Sequence, residues 1–223
     1  PWAAAIVCGE ALGPVLFLDW AQGGERYVCA DHGCGCGWVY VYEPGEPMGH
    51  GWATRLIQLL ATSEDQVDNV YRPLKTMARG PRLRDLLKVR EGFIRVIGDS
   101  EDPEEDRIDV VTASAMSRLG NPINFCLQDE SQLYTSVNRV QKAAETMRRG
   151  VAAMGGRSIE TTNCPDPSED STAQRTMESA ALDVFRFYEP PPKQWSYRNK
   201  AERRRIHAYN YAGSPHVDLN GIE

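Results

Sequence analysis

The sequence predicts an α/β fold of three layers, with helices on both faces of a mainly parallel sheet. Three observations predict it. Apolar runs alternate with helix-like stretches along the chain, the order that builds βαβ units. Two of the runs, TRLIQLLAT at 54–62 and INFCLQ at 123–128, are nearly continuous in apolar residues rather than alternating, as strands covered on both faces are. Finally, 41% of the 223 residues are hydrophobic, enough for the core of one large domain, or of a domain with an appendage.

The elements follow in order. Residues 2–12 have helical composition, and Gly13-Pro14 stops them. The short apolar stretch VLFLDW comes next, then a Gly- and Cys-rich insertion over 23–51 whose WVYVY run reads as one strand of a hairpin. After the strand at 54–62, Ser63 offers an N-cap and Glu64 and Asp65 fall in the first turn of a helix. That helix runs through QVDNVYRPLKTM, where Pro73 kinks or bounds it. Strands are expected at 91–98 and 108–114. After INFCLQ, the spacing of Leu133, Val137, Val140, Ala144, Met147 and Val151 predicts a helix over 131–154, ended by Gly155-Gly156. RSIETTN at 157–163 reads as a strand. Asp170 or Ser171 caps a helix expected over 172–187, and EPPPK at 189–193 is a stiff break. The expected organisation is a core over 1–188 and a linker with a distal part over 189–223.

A net charge of -6 and a pI near 5.4 argue against a surface coated for nucleic acid, though not against contact through a few loops. The acids concentrate at 98–109, which reads as a solvated loop. The bases of 197–207 include Arg198 to Arg205. They are suited to nucleic-acid phosphates or to the chain's own acids, and the second is the plainer reading. No apolar run approaches the ~18 residues of a membrane span, and the N-terminal stretch lacks the basic region of a signal peptide. Cys8 and Cys126 lie in apolar runs and read as buried thiols; a reduced, cytoplasmic setting is expected.

The sharpest candidate site is the end of INFCLQDE. In P-loop ATPases a buried strand delivers an Asp to Mg²⁺ and a Glu to the attacking water, and Asp129 and Glu130 have those places here. An acidic strand-to-helix turn in which Glu130 caps the next helix accounts for the pair equally well. The trio Thr161, Thr162 and Asn163, at the end of the next strand, suits a sensor of the γ-phosphate, or ordinary turn chemistry. Cys29, His32, Cys34 and Cys36 offer four zinc-type ligands within eight residues. Against that, residues 34 and 36 would face opposite ways on an extended chain; a partial site completed by a distant residue such as His50, and a Gly-rich hairpin with free thiols, are the competing readings.

Four segments together, EALGPVLF at 10–17, LIQLLATSEDQVDNVYRPL at 56–74, VTASAMSRLGNPINFCLQDESQLY at 111–134 and IETTNCPDPSEDSTAQRT at 159–176, resemble in order and distance the large terminase subunits of tailed bacteriophages, most of all those of actinobacterial phages. The resemblance implies a P-loop-type ATPase domain of a DNA-packaging motor. It implies Asp129 as the acid associated with Mg-ATP, Glu130 as the catalytic glutamate, and Thr161, Thr162 and Asn163 as the motif coupling nucleotide state to DNA movement. It implies double-stranded viral DNA, a portal protein, a small terminase subunit and a homo-oligomeric ring as partners, in the host cytoplasm. Two departures accompany it. No Gly-Lys pair occurs at Lys75, Lys88, Lys142, Lys193 or Lys200, so the phosphate loop and its strand are expected to precede Pro1, and the acids of a nuclease domain are expected beyond Glu223. The alternatives are a non-catalytic zinc-knuckle module on a decayed ATPase core, or another P-loop ATPase such as a helicase.

Overall fold

A computed structural model describes residues 1–97, 105–112 and 121–222. Most of the acidic stretch at 98–109, and residues 113–120 of the third resembling segment, lie outside the described residues. The chain packs as two compact units, Pro1–Ser179 and Ala180–Glu223.

The first unit is built on a six-stranded sheet. Its strands are β5 (Leu56–Leu60), β6 (Leu87–Val89), β7 (Phe93–Val96), β8 (Arg107–Val111), β9 (Phe125–Gln128) and β10 (Arg157–Glu160), in the spatial order β10-β9-β5-β8-β7-β6. β10, β9, β5 and β8 run parallel, and β7 and β6 extend the sheet antiparallel beyond β8. Side chains alternate faces along each strand, and each face has its own core. Ile57, Leu59, Phe125 and Leu127 meet helices α1 (Trp2–Leu12) and α2 (Glu64–Arg79) on one side. Leu56, Leu60, Cys126 and Val111 meet α3 (Val140–Ala153) on the other, through Val140, Ala143, Ala144, Met147 and Val151. This is the α/β class the continuous apolar runs predict, since β5 and β9 are buried at every position.

Polar groups close the N-terminal end of the parallel strands. Asp106 accepts from the Arg55 backbone N–H at 2.7 Å and pairs with its guanidinium at 3.3 Å, both residues being buried. Asn124 Oδ1 accepts from Leu56 N at 3.2 Å. Gly156 lets β10 start close beside β9: a Cβ there would stand 2.1 Å from the Asn124 carbonyl oxygen.

The insertion and the strand just before it form two small antiparallel ribbons, β1 (Leu16–Trp20) with β4 (Pro47–His50), and β2 (Arg26–Val28) with β3 (Val39–Val41). Two helices are shorter than the sequence predicts. The one expected from residue 131 begins at Val140. Asn138 breaks the backbone there by accepting from Thr135 N and Val140 N, and Arg139 has φ 63°. The helix expected over 172–187 is α4 (Thr172–Glu178), and Ser179 beyond it is extended. Residues Leu182, Phe185, Phe187 and Tyr188 are exposed, so no apolar stripe rewards further helix. The second unit carries α5 (Lys200–Asn210), whose buried anchor is Ile206. Its Arg203 and Arg204 donate to the Tyr197 carbonyl and the Asn220 amide oxygen rather than to carboxylates.

Candidate functional site

The strand order locates a topological switch point. From β5 the chain leaves through α2 toward β8 on one side, and from β9 through α3 toward β10 on the other. The connections therefore diverge between β5 and β9, and ligands of open parallel sheets bind outside the strand carboxyl ends at such a switch point. The residues that emerge there are Ser63 and Gln66 after β5, Asp129 and Glu130 after β9, and Thr161 after β10.

Asp129 continues the strand, its N–H donating to the Leu60 carbonyl at 3.1 Å. Its carboxylate Oδ1 accepts from the Thr161 hydroxyl at 2.5 Å. Glu130 takes the left-handed conformation, φ 56° and ψ 48°, a region disfavoured for residues with a Cβ. That turn sends the two neighbouring carboxylates to different partners. Glu130 Oε2 accepts from Gln66 Nε2 at 3.3 Å, while Gln66 Oε1 is buried and has no hydrogen-bond partner among the described residues. Both acids are half-buried.

The frame behind them is tightly bonded. Tyr134, fully buried, shares its one hydroxyl proton between the carbonyls of Leu60 at 2.5 Å and Asp129 at 2.7 Å. It thus joins the ends of the two strands that flank the switch point, and burial pushes the phenol well above its ordinary pKa. Glu160 is engaged with Arg148, with the Ser131 hydroxyl at 2.6 Å and with the Thr176 hydroxyl at 2.9 Å, which makes it a structural carboxylate. Thr162 Oγ1 and the Asn163 N–H both donate to Gln132 Oε1, at 3.0 and 3.1 Å. Of the predicted trio, then, Thr161 adjoins Asp129, and Thr162 and Asn163 sit on Gln132.

Gln66, Gln132 and Tyr134 carry parts of this geometry to which sequence reasoning assigns no role. Gln66 had a visible signal of another kind: Ser63 and Gln66 have the spacing of a capping box. Ser63 Oγ does cap, accepting from Gln66 N at 3.3 Å, but the Gln66 side chain crosses to Glu130 instead of bonding back.

The cysteine-rich loop lies in the insertion. The sulfurs of Cys29, Cys34 and Cys36 all fall within 4.8 Å of one another. His32 is not among them; its ring stacks on Tyr27 with centroids 4.9 Å apart. Burial first, then its neighbouring cysteines, push the Cys29 thiol up to about 12, and the Trp38 N–H draws Cys36 below the usual thiol value.

No family model matches the sequence, and no curated protein matches it. Among solved structures, the chain is similar to a mutant ATPase domain of the large terminase of Thermus phage P74-26, at 10% identity and a TM-score of 0.43, over 75% of this chain and 74% of that one. A likeness that weak carries no argument about this chain. No helix among the described residues is long and apolar enough to cross a membrane.

Proposed function

We propose that Asp129 and Glu130 form the acidic half of an ATP-hydrolysing site, and that the chain is the ATPase part of a phage large terminase. In that role it couples hydrolysis to the movement of double-stranded viral DNA. The observation that carries this reading is the position of the pair. Two adjacent acids leave a buried parallel strand at the switch point, and the left-handed turn at Glu130 points them to different neighbours. The ordered resemblance of the four segments supports the motor over other ATPases, and it brings the portal, the small terminase subunit and a ring of copies as partners in the host cytoplasm.

The residues suit the chemistry. Mg²⁺ takes hard oxygen donors and few protein ligands, and Asp129 presents one carboxylate oxygen fixed by Thr161 and a second with no hydrogen-bond partner among the described residues. When bound, the ion would offset the charge of the phosphate oxygens. Glu130 is placed to take a proton from water as general base. Gln66 holds one of its oxygens and keeps a buried acceptor of its own with no donor among the described residues, which suits a second hold on that water. Thr161, bonded to Asp129, and Thr162 and Asn163, on Gln132, would pass loss of phosphate along β10. The reading requires a phosphate-binding loop that these 223 residues do not contain.

The test is Glu130→Gln in the packaging-competent protein. ATP binding is expected to persist, while turnover falls by roughly a hundredfold or more, the scale of a general base. Hydrolysis near the unmodified rate would remove Glu130 from the role. The 223-residue chain by itself is expected to show negligible ATPase activity; Mg²⁺-dependent turnover by it would show that the nucleotide site is elsewhere.

A further inference from the structure

The insertion has a second site, independent of the acidic pair. Between Gln22 and Gly51 the one buried side chain is Cys34. Thirty residues therefore hold three short strands, β2, β3 and β4, and a tight turn with no apolar core of their own. Segments of this kind need a covalent or metal staple to keep a single shape. At the one buried point, three sulfurs converge to within 4.8 Å. Tetrahedral zinc has Zn–S bonds of about 2.3 Å, which puts its sulfurs roughly 3.8 Å apart, a small contraction from that spacing.

The backbone explains why the sulfurs meet. On an extended chain Cys34 and Cys36 would face opposite ways. Gly33 and Gly37 take positive φ, 77° and 72°, and the chain curls between them. Cys34 N donates to the Cys29 carbonyl at 3.2 Å, and Cys29 N to the Trp38 carbonyl at 3.0 Å. The Trp38 N–H in turn donates to Cys36 Sγ at 3.4 Å, the kind of outer hydrogen bond that orients a thiolate ligand.

We propose that Cys29, Cys34 and Cys36 bind one Zn²⁺ through their thiolates, with an exchangeable fourth ligand, and that the ion fixes the tip of the β2–β3 hairpin. His32 stays on Tyr27. The ion ties Cys29 and Cys36, at either end of the loop, to Trp38, which begins the aromatic row Trp38, Tyr40 and Tyr42. Each bound thiol releases its proton on coordination.

The test uses the whole chain, purified reduced and offered Zn²⁺ or Co²⁺. One zinc per chain is expected by elemental analysis, with a thiolate-to-cobalt charge-transfer band and tetrahedral cobalt absorption. Cys36→Ser, at an exposed position, is expected to weaken binding by more than about tenfold, since even outer-shell changes register on that scale. His32→Ala and Cys164→Ser are expected to leave affinity and spectrum unchanged. Should Cys36→Ser not fold, the wild-type chain is stripped with a chelator: amide exchange over residues 26–41 is expected to quicken and to slow again on adding Zn²⁺. No uptake of zinc, unchanged affinity in Cys36→Ser, loss of zinc in His32→Ala, or exchange over 26–41 indifferent to zinc would overturn the assignment.

Discussion

Tyr134 does at one residue what the sheet cannot do alone. The parallel ladder ends at Leu60 and Gln128, and the Tyr134 hydroxyl then binds one carbonyl from each strand end. Tyr134→Phe keeps the ring and removes that donor, leaving the Asp129 carbonyl part-buried without it. The expected cost is about 1–3 kcal/mol, measured as a lower urea midpoint with an unchanged slope. At this scale the sequence shows the acids but not their partners. Asp129 and Glu130 stand out because they interrupt an apolar run. Gln66 lies 64 residues away, and its local pattern reads as a helix cap. Tyr134 reads as one more position of a helix that in fact starts later. Pairings made only in three dimensions leave no trace in one sequence.

At the scale of elements, Gly155 and Gly156 are legible together as a helix stop, yet they do different work. Gly155 has φ 62°, and a Cβ added there would meet nothing within 4 Å, so Gly155→Ala is strained only by its backbone and should cost about 1 kcal/mol. Gly156 faces the Asn124 carbonyl at the start of β9. A methyl there must push two strands apart, and Gly156→Ala should cost at least about 2 kcal/mol. Urea unfolding of the two variants checks the order; equal losses would show that the strands yield easily. The strands themselves are legible because burial on both faces leaves continuous apolar runs. The helix limits are not. Val137 keeps the helical spacing but is 90% exposed, and periodicity cannot tell a repeated apolar residue from one that finds a partner. The antiparallel turn of β6 and β7 onto the sheet likewise follows from loop lengths and packing, not from pattern.

For the molecule as a whole, weak acids that are buried, or half-buried as Cys8 is, set an upper pH limit. Burial raises Cys126 from 9.0 to about 12 and Cys8 to about 11, and it raises Tyr134 as well. Each group keeps its proton in the folded chain after the unfolded chain has lost it. The contribution of the two thiols is therefore full below about pH 9 and is lost as pH rises through 11 to 12. Unfolding free energy is expected to fall over that window, by at most about 1.4 kcal/mol per pH unit for each proton. Cys126→Ala should flatten the fall by one proton, read from urea midpoints across alkaline buffers. A curve of unchanged steepness would show that Cys126 titrates alike in both states. The division after Ser179 is less legible. The sequence places a break at the prolines of 189–193, whereas the compact first unit ends at Ser179, where the apolar residues that follow find no core.

The hydrogen bond between Gln66 and Glu130 has a consequence in populations. At 3.3 Å it lies just past the usual N–H···O range, and a net worth of about 1 kcal/mol is a fair measure of such a contact. By that measure Glu130 stands apart from Gln66 in roughly one molecule in six. A ligand that prefers either arrangement needs to contribute little free energy to make it the dominant one. The Glu130 carboxylate is held by a balance rather than a lock.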